Sequence, residues 1–312
     1  MSSPAPYAVR RPSRSSFVTV RGLRHHVREW GDRSLATPQR PTAVLLHGWM
    51  DVGASYQFMV DELAGERHLV AFDWRGFGLS EHLGSDTYWF GDYIGDLDGV
   101  LDALGLDQPV DLVGHSMGGN IATVYAGLRP QRLRSLANLE GWGMPATKPQ
   151  QAPERFVKWL DELKQPPQLK DYASLDEVAR RMRRNNPRLT PERAHWVAAH
   201  WASEREGGRW ALNADPAHKG STPTLYRVEE VLAIWDRITA PVLWAEGSIN
   251  ELALYWGAQY TREEFDARLA HIAHVRKVVI ADAGHMVHHD QPRQLAQALE
   301  AFWAQPAARP GA

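Results

Sequence analysis

Short apolar runs alternate along the chain with longer stretches of helical periodicity. Residues 17–20 and 23–30 read as an antiparallel hairpin that turns near Arg21 and Gly22. Residues 43–46 and 68–72 are short apolar runs of the kind that forms strands buried on both faces. Between them, residues 56–63 read as a helix. Residues 89–104 place Tyr93, Ile94, Leu97, Val100, Leu101 and Leu104 on one stripe at helical spacing. A strand over 110–113 runs into a glycine-rich turn, a helix follows to about residue 128, and residues 133–139 form another strand. Strands separated by helices predict βαβ units and a mainly parallel sheet.

The rhythm then breaks. Residues 142–238 hold no convincing buried strand, while 156–163, 175–184 and 191–204 carry helical patterns. Strands at 241–245 and 275–281 restore the alternation, and an amphipathic helix over 294–303 closes it. The pattern therefore predicts a core of residues 17–141 and 239–305, with a helical insertion over 142–238. An insertion between two strands of one sheet is expected to cover an active site. Residues 1–16 and 306–312 read as disordered tails.

Composition narrows the class. Of 312 residues, 44% are hydrophobic and 23% charged, which matches a globule with a large core. The net charge of -2 argues against a nucleic-acid surface. Cysteine is absent, which excludes disulfides, thiolate metal sites and a cysteine nucleophile. No apolar run reaches the roughly 18 residues of a membrane span, and the first residues lack a signal-peptide pattern. A cytoplasmic protein acting on a small molecule is the expectation.

Gly114-His115-Ser116-Met117-Gly118 sits between an apolar strand and a helix, the context of a nucleophile elbow. A serine hydroxyl needs a base to take its proton, and His285, just past the last strand, follows it in the required chain order. His288, His289 and Asp290 raise the alternative of a metal site, but no hydrolytic metal pattern accompanies them, so they read as solvated loop residues and no metal is expected. The turn at His47-Gly48-Trp49 can offer the Trp49 backbone N–H, with that of Met117, to a developing oxyanion.

Four motifs in this order, HGWMD (47–51), DWRGFGLS (73–80), GHSMGG (114–119) and AGH (283–285), resemble the α/β-hydrolase superfamily over about residues 17–305. HGWMD is also similar to its serine-hydrolase-like members. The resemblance implies an α/β-hydrolase fold with an eight-stranded, mostly parallel sheet and a helical cap between strands six and seven. The segment Asp73-Trp74-Arg75-Gly76 matches a family stretch that is usually structural. Relatives that open epoxides or remove halogens carry aspartate at the elbow, and Ser116 argues against both chemistries.

The acid departs from the usual pattern. The family's common carboxylate position falls on Asn250, and an amide cannot stabilise an imidazolium by charge. Some members carry the acid at the end of strand six, where this chain has Glu140. Glu140 is therefore the expected partner of His285, with Glu246 and Asp282 as rivals. Trp142 is expected to line the substrate pocket, and the other insertion tryptophans to form the insertion's own core. The arginines at 180, 181, 183 and 184 read as a solvated helix face, with an anionic leaving group as the alternative. Together these features predict a cofactor-independent serine hydrolase acting on apolar acyl or aryl esters. Thioesterase, lactonase and carbon–carbon hydrolase activities remain open on the same residues, as does a ligand-binding pseudo-hydrolase.

Overall fold

The computed structural model describes residues 5–82, 84–249 and 252–305. Its strands are β1 (Arg14–Val20), β2 (Leu23–Trp30), β3 (Ala43–Leu46), β4 (Leu69–Phe72), β5 (Val110–His115), β6 (Leu133–Leu139), β7 (Ala202–Glu204), β8 (Trp210–Leu212), β9 (Val242–Gly247) and β10 (Val275–Ile280). The helices are α1 (Gln57–Glu62), α2 (Phe90–Ala103), α3 (Met117–Leu128), α4 (Ala152–Lys164), α5 (Leu175–Asn185), α6 (Pro191–Trp201), α7 (Val228–Trp235), α8 (Leu252–Trp256), α9 (Arg262–Leu269), α10 (Val287–Asp290) and α11 (Pro292–Trp303).

Eight strands form one sheet in the order β1-β2-β4-β3-β5-β6-β9-β10. Only the β1–β2 and β2–β4 pairs are antiparallel. The remaining pairs are parallel, as the helical crossovers require. Alternation along the central strands builds two cores. Val44, Leu46, Val70, Phe72 and Leu112 face the layer that includes α2 and α3. Ala43, Leu45, Leu69, Ala71 and Val113 face α1 and α11. Because both faces are covered, β3 and β4 are buried throughout.

Residues 140–241, between β6 and β9, leave the sheet and return to it. Their core is a separate cluster in which Val178, Met182, Val197 and Ala198 pack with Phe58 of α1. The expected helix over 191–204 ends early. Ala202 is extended, and the chain turns through Gly207 and Gly208 at φ of 78° and 73° to form the β7–β8 hairpin. Strands of three residues carry too little alternation to be read from a sequence.

The expected N-terminal tail is also shorter. β1 begins at Arg14, and the preceding segment is anchored on Asp61 of α1. That carboxylate accepts Tyr7 Oη–H at 2.9 Å and the backbone N–H groups of Arg10 and Arg11 at 3.1 and 2.7 Å. Residues 306–312 lie outside the described residues. Among the described residues, no helix is long and apolar enough to cross a membrane.

Candidate active site

β5 and α3 meet at Ser116, whose backbone holds φ +51°, ψ −116°. Such a conformation is strained for any residue with a β-carbon and survives only where the surroundings enforce it. Here Ser116 N–H donates to Leu139 O at 2.9 Å, and Asn120 N–H donates to Ser116 O at 2.9 Å. The glycines of the elbow allow the close passage: a β-carbon on Gly114 would collide with the Gly118 backbone, and one on Gly118 with the carbonyls of Leu46 and His47.

The chain after β6 takes a second left-handed step at Glu140, φ +59°. Glu140 N–H still bonds Ala245 O on the neighbouring strand at 3.1 Å. Its side chain, almost fully buried, turns toward the loop after β10. Glu140 Oε2 lies 3.4 Å from His285 Nδ1. Two donors hold that carboxylate: Gly247 N–H on Oε1 and Trp142 Nε1–H on Oε2, both at 2.7 Å. The rival acids are engaged elsewhere. Glu246 pairs with Arg262 at 3.0 Å, and Asp282 lies 3.5 Å from Arg188 at the surface. Asn250 lies outside the described residues.

Ser116 and His285 line one cavity of about 500 Å³, together with Trp49 and Met50 of the turn after β3 and with residues of α5 and α6 from the insertion. Met117 is the first residue of α3, so its N–H has no acceptor within the helix. Trp49 is half exposed and anchored by its indole N–H on His218 O at 3.2 Å.

Trp142 does not line this cavity. It is buried in the core against Trp244 and Phe265, with ring centres 5.2 and 4.6 Å away. The left-handed residues Glu140 and Gly143 turn the chain so that the indole folds back beneath the strand ends, where it reaches the Glu140 carboxylate. Its indole N–H donates to Glu140 Oε2 at 2.7 Å.

His288 and His289 are not solvated either; both are buried on α10. His289 packs edge-on to Phe58, and burial pushes its pKa down to about 3. His115, beside the serine, is held well below the usual imidazole range, first by burial and then by the charges of His288 and His285. Of the four arginines at 180–184, Arg181 lines the cavity, with Lys170, Arg188 and Lys219 also on its wall.

Asn138 escaped the sequence reading. Its Oδ1 accepts Gly141 N–H at 2.8 Å, and its Nδ2 donates to Thr123 Oγ1 at 2.8 Å and Gly119 O at 3.2 Å. It thus ties the elbow helix to the turn that carries Glu140. The available signal was a lone amide in an otherwise apolar strand end.

Residues 41–292 match the family model described as the alpha/beta hydrolase fold, and the chain belongs to the α/β-hydrolase family. A 3-hydroxybutyrate-oligomer hydrolase of Cupriavidus necator is 28% identical over 288 residues, 88% of this chain and 91% of that protein. A serine hydrolase-like protein of Danio rerio is 34% identical over 104 residues, 33% of this chain; the match spans only 32% of that relative's length. Among solved structures, a thioesterase domain from the curacin biosynthetic pathway superposes with a TM-score of 0.77 at 24% identity, covering 93% of this chain and 99% of that domain. That likeness concerns the fold. Family and relatives together mark the chain as a hydrolase.

Proposed function

We propose that the chain is a serine carboxylesterase that hydrolyses small to medium apolar acyl or aryl esters through an acyl-enzyme. The observation that carries this reading is that Ser116 and His285 line one cavity, with His285 Nδ1 3.4 Å from the Glu140 carboxylate. Ser116 Oγ attacks the ester carbonyl carbon while His285 Nε2 takes its proton. The carbonyl oxygen becomes an oxyanion that accepts the N–H groups of Met117 and Trp49. Collapse expels the alcohol, which receives the proton from His285, and leaves an ester on Ser116. Water then repeats the sequence and releases the acid. Glu140 holds the imidazole tautomer and stabilises its charged form. The 140–241 segment acts as a cap whose apolar side chains, Val178, Met182, Leu189 and Leu212, receive the acyl or aryl group.

Turnover of a p-nitrophenyl acyl ester series tests the reading. Wild-type enzyme is expected to prefer a short to medium chain, and Ser116→Ala to lose at least about 10³-fold in kcat. Absence of turnover across the series would favour the pseudo-hydrolase instead.

A second substrate reading has its own support. Lys170, Arg181, Arg188 and Lys219 on the cavity wall would receive a carboxylate at the far end of the acyl group. The similarity to a 3-hydroxybutyrate-oligomer hydrolase points the same way. In that case an ester carrying a terminal carboxylate shows a lower KM than its neutral methyl ester, and salt erases the difference.

A further inference from the structure

At the wall of the cavity, which Asp51 and His115 line, these two side chains converge with His288 from three separate elements: the turn after β3, the end of β5 and α10. All three are buried, and their ligand atoms lie within 4.8 Å of one another. Asp51 and His115 each have part of their hydrogen-bonding capacity fixed. Asp51 Oδ1 accepts Val52 N–H at 2.8 Å, Trp201 Nε1–H at 2.8 Å and the Ser55 hydroxyl. Its other oxygen, Oδ2, has no protein partner among the described residues. His115 Nε2 lies 2.8 Å from His285 O, and a carbonyl only accepts, so the proton sits on Nε2. That choice leaves Nδ1 as a bare lone pair, likewise without a protein partner. Neither ring nitrogen of His288 has a hydrogen-bonding partner; its Nε2 stands 3.7 Å from Asp51 Oδ2.

Two acceptors that cannot bond each other therefore face one point, beside an uncommitted imidazole. Leaving such atoms buried and unmatched is costly, and a buried carboxylate also calls for a positive charge. We propose that Asp51 Oδ2, His115 Nδ1 and a ring nitrogen of His288 form a binding site for a divalent transition-metal ion, represented by Zn²⁺. Two imidazoles and one carboxylate are a donor set suited to such an ion. The surroundings supply the outer support that metal ligands need. The second nitrogen of His115 is fixed by a carbonyl, and the second oxygen of Asp51 by Trp201, Ser55 and Val52. Tyr56 stacks on His288 with ring centres 5.0 Å apart and sets its plane. An inward shift of about 0.7 Å per ligand brings the atoms to zinc distance. The site is separate from the Ser116–His285–Glu140 set, whose His285 nitrogen faces Glu140.

Calorimetric titration of chelator-dialysed protein with ZnCl₂ at pH 7.5 is the test. One equivalent should bind with a Kd below about 10 μM. Asp51→Asn and His288→Gln should each weaken it at least about 30-fold, while the surface change His271→Gln leaves it unaltered. Wild-type crystals soaked in ZnCl₂ should give an anomalous peak among the three side chains, a readout independent of how the variants fold. No saturable binding, binding unimpaired in both site variants, or a peak elsewhere overturns the proposal.

Discussion

Glu140 holds φ +59° and a carboxylate clasped by Gly247 N–H and the Trp142 indole. Removing its charge should therefore disturb chemistry far more than folding. Glu140→Gln is expected to lower kcat/KM by about 10³–10⁴ while leaving the unfolding midpoint within a few degrees and serine labelling partly intact. Trp142→Phe keeps the ring in its apolar nest and deletes one donor to the acid. It should cost about tenfold in kcat and leave acyl-length preference unchanged, since the ring does not border the cavity; a shifted length preference would contradict its placement. The strict local pattern of the elbow singles out Ser116 in the sequence, and the amide at Asn250 points to the preceding strand, where Glu140 lies 3.4 Å from His285; their catalytic roles are those of the proposed mechanism. Asn138 and the buried state of His288 were not legible. Their meaning lies in contacts with Thr123, Gly119, Tyr56 and Asp51, which become neighbours only once the chain has folded.

Elements were read best where periodicity ran long. The stripe on α2 and the apolar runs of β3, β5 and β6 each had one solution, because burial on both faces leaves no polar alternative. The insertion was read as helices alone, which missed the β7–β8 hairpin. It also gave no warning of how firmly the insertion is joined to the core. His218, on the short turn after β8, lies between the rings of Phe77 and Tyr88, each with its centre 3.7 Å away. Its Nδ1 lies 3.1 Å from Tyr93 Oη and its Nε2 3.2 Å from Arg75 O, so the neutral ring donates to the carbonyl and accepts from the phenol. Burial holds its pKa down at about 4. A folded-state value below the unfolded one makes the unfolded chain the better proton binder between them. The stabilisation is thus complete above about pH 6.5 and is lost as pH falls toward 4, on the order of 3 kcal/mol for this ring. Urea unfolding measured from pH 7.5 to 4.5 should show that loss, and His218→Gln should flatten the slope.

At the scale of the whole molecule, the N-terminal segment ties α1 to the insertion. Tyr7 lies edge-on to Phe58 of α1 and to Trp196 of α6, with ring centres 4.8 and 6.0 Å away, while its hydroxyl bonds Asp61. A segment that reads as a polar tail is ordered because one buried carboxylate, Asp61, collects its donors; composition carries no trace of that. Tyr7→Phe should lower unfolding free energy by about 1 kcal/mol, and Asp61→Ala by about 2–4 kcal/mol, since it strands two backbone N–H groups. Both losses are measurable by chemical denaturation.

In the proposed mechanism the strained turn at Ser116, the clasped Glu140 carboxylate and the insertion would all serve a single covalent event at Ser116. Intact-protein and peptide mass spectrometry after exposure to a fluorophosphonate probe measures it most directly. One adduct per chain is predicted, located on the peptide containing Ser116, absent from Ser116→Ala and slowed at least about 10²-fold in His285→Gln. An unlabelled wild-type protein, or an adduct that persists in Ser116→Ala, would contradict the account.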